Sequence, residues 1–199
     1  MNMPRVRIHF TGVGGQGTLT ATTLLARAAL DTGIPVVSGE IHGMAQRGGV
    51  VESSVLLGGW ESPVISHGEA DIILGFEALE TLRALPYLRT GGAVFSSTDF
   101  IPPPGVSAGR ETCPPLDDIQ RAALACARQA WFVPCKKLGM EAGSAQCSNT
   151  VLLGALCISG VVPLTPEDLQ AAIARHLPKK LAAMNIKAVD LGATAAMRQ

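Results

Sequence analysis

One short glycine motif constrains the fold of this chain more than any other feature. Gly12, Gly14 and Gly17 form the pattern G-x-G-x-x-G. The motif follows an alternating apolar stretch, residues 5–10, and precedes a helix-like stretch, residues 18–32. Such a turn from strand to helix is typical of open α/β sheets, where bare backbone lets the chain turn tightly and the helix pack closely.

Strand-like and helix-like segments continue to alternate along the chain, which predicts a mostly parallel sheet with helices on both faces. The predicted strands are residues 5–10, 34–38, 50–57, 71–75, 92–97 and 131–134, and the predicted helices are residues 18–32, 77–88, 117–130, 149–159, a helix capped by Thr165, and residues 179–189. We therefore expect a three-layer, Rossmann-like α/β fold with a helical C-terminal third, formed by one domain over residues 1–199. The proline-rich segment 101–115 is expected to be irregular.

The first strand departs from the usual pattern of a central parallel strand. Val6, Ile8 and Phe10 alternate with Arg7 and His9, whereas a strand buried on both faces is normally apolar throughout. The alternation predicts a strand with only one well-buried face.

Charge and cysteine content exclude several classes of protein. Lys plus Arg equals Asp plus Glu at 16 each, which argues against nucleic acid or an anionic membrane as a partner. The longest apolar run, residues 151–164, is too short to span a bilayer. The five dispersed cysteines form no C-x-x-C pair, so we expect free thiols, a cytoplasmic protein, and neither a metal ion nor a cluster held by this chain alone.

The glycine motif has two interpretations. Amides near Gln16, Gly17 and Thr18 would lie at the positive end of a helix dipole, which favours a phosphate or a carboxylate. A dinucleotide site would also need an acidic residue after the second strand, for which Glu40 is the candidate. Alternatively, the glycines, including Gly15, serve only a tight turn and close packing.

A second glycine-rich segment, residues 39–49, should leave the same carboxyl edge of the sheet. Its side chains His42, Gln46 and Arg47 stand beside Gly48 and Gly49. Arg47 could grip a planar anion or an acidic group of a partner with two hydrogen bonds. A solvated arginine and a structural histidine are the plainer alternatives. We expect this segment and the glycine motif to present donors to one crevice.

Four segments carry a resemblance to a known family. GVGGQG at 12–17, HGMAQRGG at 42–49, residues 68–88 and SNTVLLGAL at 148–156 resemble the gamma subunit or domain of the 2-oxoacid:ferredoxin oxidoreductases. The resemblance is closest to the small subunit of the indolepyruvate type, and HGMAQRGG is the most specific of its segments.

The resemblance implies an accessory subunit for the oxidative decarboxylation of a 2-oxoacid with coenzyme A. Thiamine diphosphate and iron–sulfur clusters would belong to a larger catalytic subunit, which passes electrons to ferredoxin. The isolated chain, which could also form a homodimer, would then be inactive. No catalytic motif is found in the chain. The residues predicted to bind a ligand or the partner are Gly12, Gly14, Gly15, Gln16, Gly17, Thr18, His42, Gln46, Arg47, Gly48 and Gly49.

Two other functions stay open at this point. The chain could be a stand-alone Rossmann-type nucleotide-binding protein that uses Glu40 for a ribose. It could also be a binding module of a related complex without an oxidoreductase role.

Overall fold

The computed structural model describes residues 4–42 and 49–199, with the backbone alone of Ile41 and His42. The six strands are β1 (Val6–Val13), β2 (Val36–His42), β3 (Val50–Leu57), β4 (Ala70–Gly75), β5 (Leu88–Ser97) and β6 (Gln129–Val133). The helices are α1 (Thr18–Asp31), α2 (Ala78–Ala84), α3 (Pro104–Ser107), α4 (Leu116–Cys126), α5 (Cys135–Ala142), α6 (Ser148–Ile158), α7 (Pro166–His176) and α8 (Lys179–Ala196). The predicted α/β class is confirmed.

The strands form one sheet in the order β2-β3-β1-β4-β5-β6. β1, β4, β5 and β6 pair in parallel, whereas β3 runs antiparallel to both of its neighbours. β2 therefore runs in the same direction as β1, but one strand away from it. The predicted mostly parallel sheet is confirmed, with β3 as its reversed strand.

One side of the sheet, the packed face, is covered by α1 and the helices α5 to α8. Ile8, Phe10, Leu74 and Phe95 point to this side and join α1, α6, α7 and α8 in the larger apolar core. The C-terminal helices pack tightly on one another, and Leu152 in α6 is fully buried. The predicted helical C-terminal third thus forms most of this layer.

The opposite side, the open face, has less helical cover. Its described helices, α2 and α4, make their main contacts with β1, β4, β5 and β6. Over β2 and β3 lies the segment 58–65, where Ile65 packs with Leu56 and the Pro63 carbonyl accepts a hydrogen bond from Ser54 Oγ at 2.6 Å. The smaller apolar core is on this face.

The structure between β5 and α6 differs from the prediction in two ways: one helix is shorter than predicted, and another was not predicted. The predicted helix 117–130 ends at Cys126 because Ala127 is extended (φ −94°, ψ 151°) and residues 129–133 pair with β5. Sheet pairing here overrides the helix preference of an alanine-rich stretch. Helix α5 was not predicted, since it is short and begins after Pro134 with no side-chain cap.

The last helix is longer than predicted. Gly192 does not end α8 but lies inside it, where a Cβ would fall 1.8 Å from the Val151 carbonyl oxygen. The glycine therefore permits α6 and α8 to touch through their backbones. The preceding helix begins as predicted, with Thr165 and Asp168 forming a capping box.

The proline-rich segment contains the short helix α3 and is anchored at its start. Glu77 is buried and caps α2, where its Oε2 accepts from the Glu80 amide at 2.8 Å. Its other oxygen accepts from the Ile101 amide at 3.0 Å. One carboxylate thus fixes both the helix start and the entry to this segment.

At the outer strand β6, the backbone of Phe132 is already paired. The Gln199 side chain accepts from the Phe132 amide at 2.9 Å and donates to its carbonyl at 2.8 Å. A side-chain amide carries one donor and one acceptor group in the manner of a peptide, so it occupies this position as a neighbouring strand would.

Candidate functional site

The glycine motif forms the turn from β1 into α1, as predicted. Gly17 is the N-cap of α1 in a left-handed conformation (φ 79°, ψ 30°), which favours glycine. A Cβ at this position would also lie 2.5 Å from Asn149 Nδ2. Both the backbone conformation and the close approach of Asn149 therefore favour glycine here. Gly15 also has a positive φ, of 102°, and among residues 4–42 and 49–199 no atom beyond its chain neighbours lies within 4 Å of where its Cβ would be. With respect to these residues, the loop is open at Gly15 and tightly packed at Gly17.

The side chain of Gln16 ties the loop to the rest of the sheet edge. Its Oε1 accepts from the Val13 amide at 2.7 Å, and its Nε2 donates to the Phe76 carbonyl at 2.9 Å. Its own amide donates to the Val13 carbonyl. Gln16 thus holds the turn in shape, and its role toward a ligand or partner stays a prediction.

The two glycine-rich segments meet at their ends. The Gly14 amide donates to the Gly49 carbonyl at 3.0 Å, which continues the pairing of β1 with β3. Small residues at these positions let one backbone approach the other. The predicted site residues Gln46, Arg47 and Gly48 and the side chain of His42 lie outside the described residues.

The first turn of α1 offers backbone donors to a ligand. The first intrahelical bond runs from the Ala21 amide to the Gly17 carbonyl, and Gly17 provides no side-chain cap. The amides of Thr18, Leu19 and Thr20 precede it at the positive end of the helix dipole. The hydroxyl of Thr18 is also buried without a hydrogen-bond partner among the described residues. This end of α1 is suited to a negatively charged group.

A cavity of about 660 Å³ opens beside this helix start. Its walls come from the glycine loop, the ends of β4 and β5, and the starts of α5 and α6, with α8 closing one side. Gly15, Gln16 and Gly17 line it, together with residues far along the chain such as Lys136 and Asn185. The volume is in the range of pockets that hold a cofactor-sized ligand.

Asp99 lines this first cavity and connects the end of β5 to the start of α5. Its Oδ2 accepts from Ser97 Oγ and from the Lys136 amide, both at 2.7 Å. Lys136 itself is exposed and lines the cavity, so its ammonium group is available at the rim. Cys135 is buried beside it, and burial raises the pKa of its thiol, which keeps the sulfur protonated and unreactive.

Asn149 connects the glycine loop to the C-terminal helices. It is 4% exposed, and its Nδ2 donates to the Gly17 carbonyl at 3.0 Å. Its Oδ1 accepts from the Thr150 amide at 2.7 Å. The Thr150 hydroxyl donates on to Asn185 Oδ1 at 2.6 Å, and Asn185 donates to the Leu181 carbonyl. The conformation of the loop is therefore linked to the position of α8.

Sequence reasoning did not single out Asn149 or Lys136 as site residues. Asn149 lies inside the segment SNTVLLGAL, but an asparagine near a helix start usually indicates only a cap. Lys136 is the second residue of α5, the helix that was not predicted. Neither residue carries a local signal for the cavity, because the fold alone brings them to the glycine loop.

The position of Glu40 weakens the nucleotide-binding alternative. In a dinucleotide-binding sheet the acidic residue stands on the strand beside β1. Here β3 lies between β1 and β2, and Glu40 pairs with Ser53 of β3. Two strand spacings of roughly 4.8 Å each therefore separate β2 from β1. Glu40 also borders a different cavity, on the open face.

The structure gives no metal centre or membrane span within its described part. In residues 4–42 and 49–199, no three His, Cys, Asp or Glu side chains form a group that could hold a metal ion. No described helix combines the length and the apolar character that crossing a membrane requires.

Comparison with known proteins places the chain in a family. A family model described as pyruvate ferredoxin/flavodoxin oxidoreductase matches residues 7–195. The chain belongs to this family. It is 42% identical over 196 residues to the indolepyruvate oxidoreductase subunit IorB of Pyrococcus horikoshii, with 98% of this chain and 97% of that protein covered. The resemblance that the sequence motifs indicated is confirmed.

Solved structures share the fold of this family member. The gamma subunit of a keto/oxoacid ferredoxin oxidoreductase from Geobacter sulfurreducens matches with a TM-score of 0.71 and 23% identity, over 98% of this chain and 99% of that one. The 2-oxoglutarate:ferredoxin oxidoreductase of Magnetococcus marinus, solved with 2-oxoglutarate, coenzyme A and succinyl-CoA, matches with a TM-score of 0.72 and 18% identity. There the match covers 98% of this chain and 31% of the longer chain.

Proposed function

We propose that this chain is the accessory, gamma-type subunit of a 2-oxoacid:ferredoxin oxidoreductase of the indolepyruvate or aryl-pyruvate type. The observation that carries the proposal is its full-length similarity to an indolepyruvate oxidoreductase subunit. The complex would convert a 2-oxoacid and coenzyme A to an acyl-CoA and carbon dioxide, with two electrons passed to ferredoxin. The protein would work in the cytoplasm.

In this proposal the redox and decarboxylation chemistry belongs to a larger partner subunit. Thiamine diphosphate supplies the carbanion stabilisation that decarboxylation needs, and iron–sulfur clusters carry the electrons. Cys135, Cys147 and Cys157 are buried, and burial raises the pKa of each thiol, which disfavours the thiolate form that binds a cluster. The isolated chain is expected to be colourless and inactive, whether it is a monomer or a homodimer.

The first cavity is the place where this subunit would contact coenzyme A or the partner's active site. The start of α1 presents backbone amides that suit a phosphate, and Lys136 adds a positive charge at the rim. Asp99 adds a negative charge, but its carboxylate is occupied by two hydrogen bonds. Gly15 leaves the approach to the loop open. Arg47 stays a predicted second anion contact at the same edge of the sheet.

Assembly with the partner is tested by co-purification. An affinity-tagged form of the chain is purified anaerobically from its native cells, and the co-eluting proteins, thiamine and iron are quantified. We expect a stoichiometric larger subunit and ferredoxin reduction that is faster with indolepyruvate or phenylpyruvate than with pyruvate. A chain that elutes alone and binds NAD with micromolar affinity would instead support the nucleotide-binding alternative.

The role of the first cavity is tested with neighbouring lysines in the reconstituted complex. Lys136→Ala removes the charge at the rim, whereas Lys137→Ala removes an equally exposed charge that does not line the cavity. We expect Lys136→Ala to raise the KM for coenzyme A about tenfold, the scale of a lost charge-assisted hydrogen bond of about 1.5 kcal/mol. Lys137→Ala should leave it unchanged. Equal effects of the two substitutions would remove the assignment of this cavity to coenzyme A.

A further inference from the structure

A second cavity, of about 200 Å³, lies on the open face of the sheet, away from the glycine loop. Strands β1, β2 and β3 form its floor, and the segment 63–65 and Tyr87 form its walls. Ser54 Oγ, whose hydrogen bond to the Pro63 carbonyl holds this segment in place, also borders the cavity. Its volume is close to that of an apolar protein cavity of about 150 Å³ that binds benzene. The space therefore suits one or two fused rings.

Aromatic rings form one wall of this second cavity. The imidazole of His9 is stacked on Tyr87, with ring centroids 4.3 Å apart and an interplanar angle of 14°. His67 packs edge-on against the same tyrosine at 4.6 Å. Burial lowers the pKa of His9 to about 4, so its ring is uncharged at neutral pH. A flat apolar ligand would thus meet flat, uncharged surfaces and the side chains of Pro63, Val64 and Ile65.

One buried polar atom at this largely apolar cavity, His9 Nε2, has no hydrogen-bond partner among the described residues. His9 as a whole is 5% exposed. The nearest carboxylate oxygen, Glu52 Oε1, lies 3.8 Å away, beyond hydrogen-bond distance. A buried polar atom without a partner costs about 1–3 kcal/mol. One O–H group placed between these two atoms would serve both, because it can donate its hydrogen to Glu52 Oε1 while its oxygen accepts from the Nε2–H of neutral His9.

The charges at the second cavity determine which ligands it excludes. The carboxylate of Glu52 borders it, so a 2-oxoacid, a phosphate or any other anion is disfavoured. Burial raises the pKa of Glu52, while the nearby His67 acts in the opposite direction. The remaining lining atoms are mostly apolar. These features separate the second cavity from the first, which presents helix amides and a lysine.

We propose that the second cavity binds a small uncharged aromatic ring that carries one hydroxyl group. The ring would lie against the His9–Tyr87 stack and the segment 63–65, with its hydroxyl donating to Glu52 Oε1 and accepting from the Nε2–H of neutral His9. This site is additional to the one proposed for coenzyme A, and it does not depend on the partner subunit.

The test uses phenol and anisole, which differ in that anisole has no O–H donor. Binding to the full chain is followed by changes in the backbone amide NMR shifts, mapped onto His9, Glu52 and Tyr87. We expect saturable phenol binding at these residues and at least tenfold weaker binding of anisole. Glu52→Ala should weaken phenol binding about tenfold, whereas Glu141→Ala, which removes an exposed carboxylate of α5 outside the cavity, should not.

Two further measurements keep the proposal open to refutation. Lys136→Ala should leave phenol binding unchanged, because Lys136 lines the first cavity and not the second. Coenzyme A should not displace phenol, because its proposed site is also the first cavity. If Glu52→Ala fails to fold, His9→Phe removes the other polar partner of the hydroxyl and should reduce the preference for phenol over anisole. Equal binding of the two ligands to the unaltered chain, shifts that map elsewhere, or no saturation would overturn the proposal.

Discussion

The two faces of the sheet are covered in different ways. The packed face carries five helices, of which α6 and α8 touch through their backbones, as at Gly192 against the Val151 carbonyl. The open face carries α2 and α4 over one half of the sheet and, among the described residues, the loop segment 58–65 over the other half. The glycine loop is fixed from the packed face through Asn149. The comparison shows that the rigid helical layer supports the proposed coenzyme A site, while the thinner layer leaves room for a second cavity.

The largest effect should come from disturbing the helix contact on the packed face. Gly192→Ala places a Cβ 1.8 Å from a backbone oxygen of α6, which neither helix can avoid without moving. We expect a loss of about 3 kcal/mol or more in the free energy of unfolding, measured by urea denaturation. In a helix without this contact the same substitution would raise the free energy of unfolding by about 0.5–1 kcal/mol. The sign of the measured change therefore shows whether α6 and α8 are in contact at Gly192.

The matched substitution on the open face is Gly39→Ala. Its Cβ would meet Pro63 Cβ at 2.8 Å, but this contact belongs to a loop segment that can shift. We expect a cost of about 1 kcal/mol or less. Equal costs at the two glycines would show that both faces are equally rigid.

The second effect is a pH dependence that arises on the open face. Burial lowers the pKa of His9 from 6.5 to about 4, so the unfolded chain binds this proton more readily than the folded one. The folded state is therefore destabilised as pH falls from about 6.5 toward 4. The shift corresponds to about 3 kcal/mol at most.

The measurement compares the unaltered chain with His9→Phe, which keeps a ring on Tyr87 but cannot be protonated. The difference in the free energy of unfolding should move in favour of the variant by up to about 3 kcal/mol between pH 7 and pH 4. A difference that stays constant with pH would show that His9 is solvated or paired in the folded protein.

A third effect concerns the link between the packed face and the glycine loop. Asn149→Ala removes one of the two donors to the Gly17 carbonyl, which keeps the Ala21 amide, and it leaves the Thr150 amide without the Asn149 side chain as its acceptor. We expect a cost of about 1–3 kcal/mol and faster hydrogen exchange of the amides in the first turn of α1. Asn185→Ala, which removes the outer end of the same chain of hydrogen bonds, should have the smaller effect on this exchange. The opposite order would place the anchor of the loop in α8 rather than in α6.

Much of the fold could be predicted because local patterns agree with it. The glycine turn, the third strand and the capping box at Thr165 all follow from neighbouring residues. The alternation in β1 also had a physical meaning: Ile8 and Phe10 point to the packed face, while His9 points to the open face and its cavity. A central strand with polar residues on one side indicates a face with incomplete helical cover.

The rest depends on contacts between distant parts of the chain. Only a short stretch of sequence separates the end of β2 at His42 from the start of β3 at Val50, which favours antiparallel pairing, but no local pattern shows that β3 lies between β1 and β2. Gly192 looks like a helix end until Val151 is placed against it. Lys136 and Asn149 become site residues only because the fold brings α5 and α6 to the glycine loop.

The Gln199 side chain on β6 has a consequence for assembly. An outer strand with unpaired backbone groups can recruit a strand from another molecule, and β6 is an outer strand of this sheet. Gln199 occupies the amide and the carbonyl of Phe132, the groups through which an added strand would pair at this position. A strand from another molecule would therefore have to displace this side chain before it could pair with Phe132.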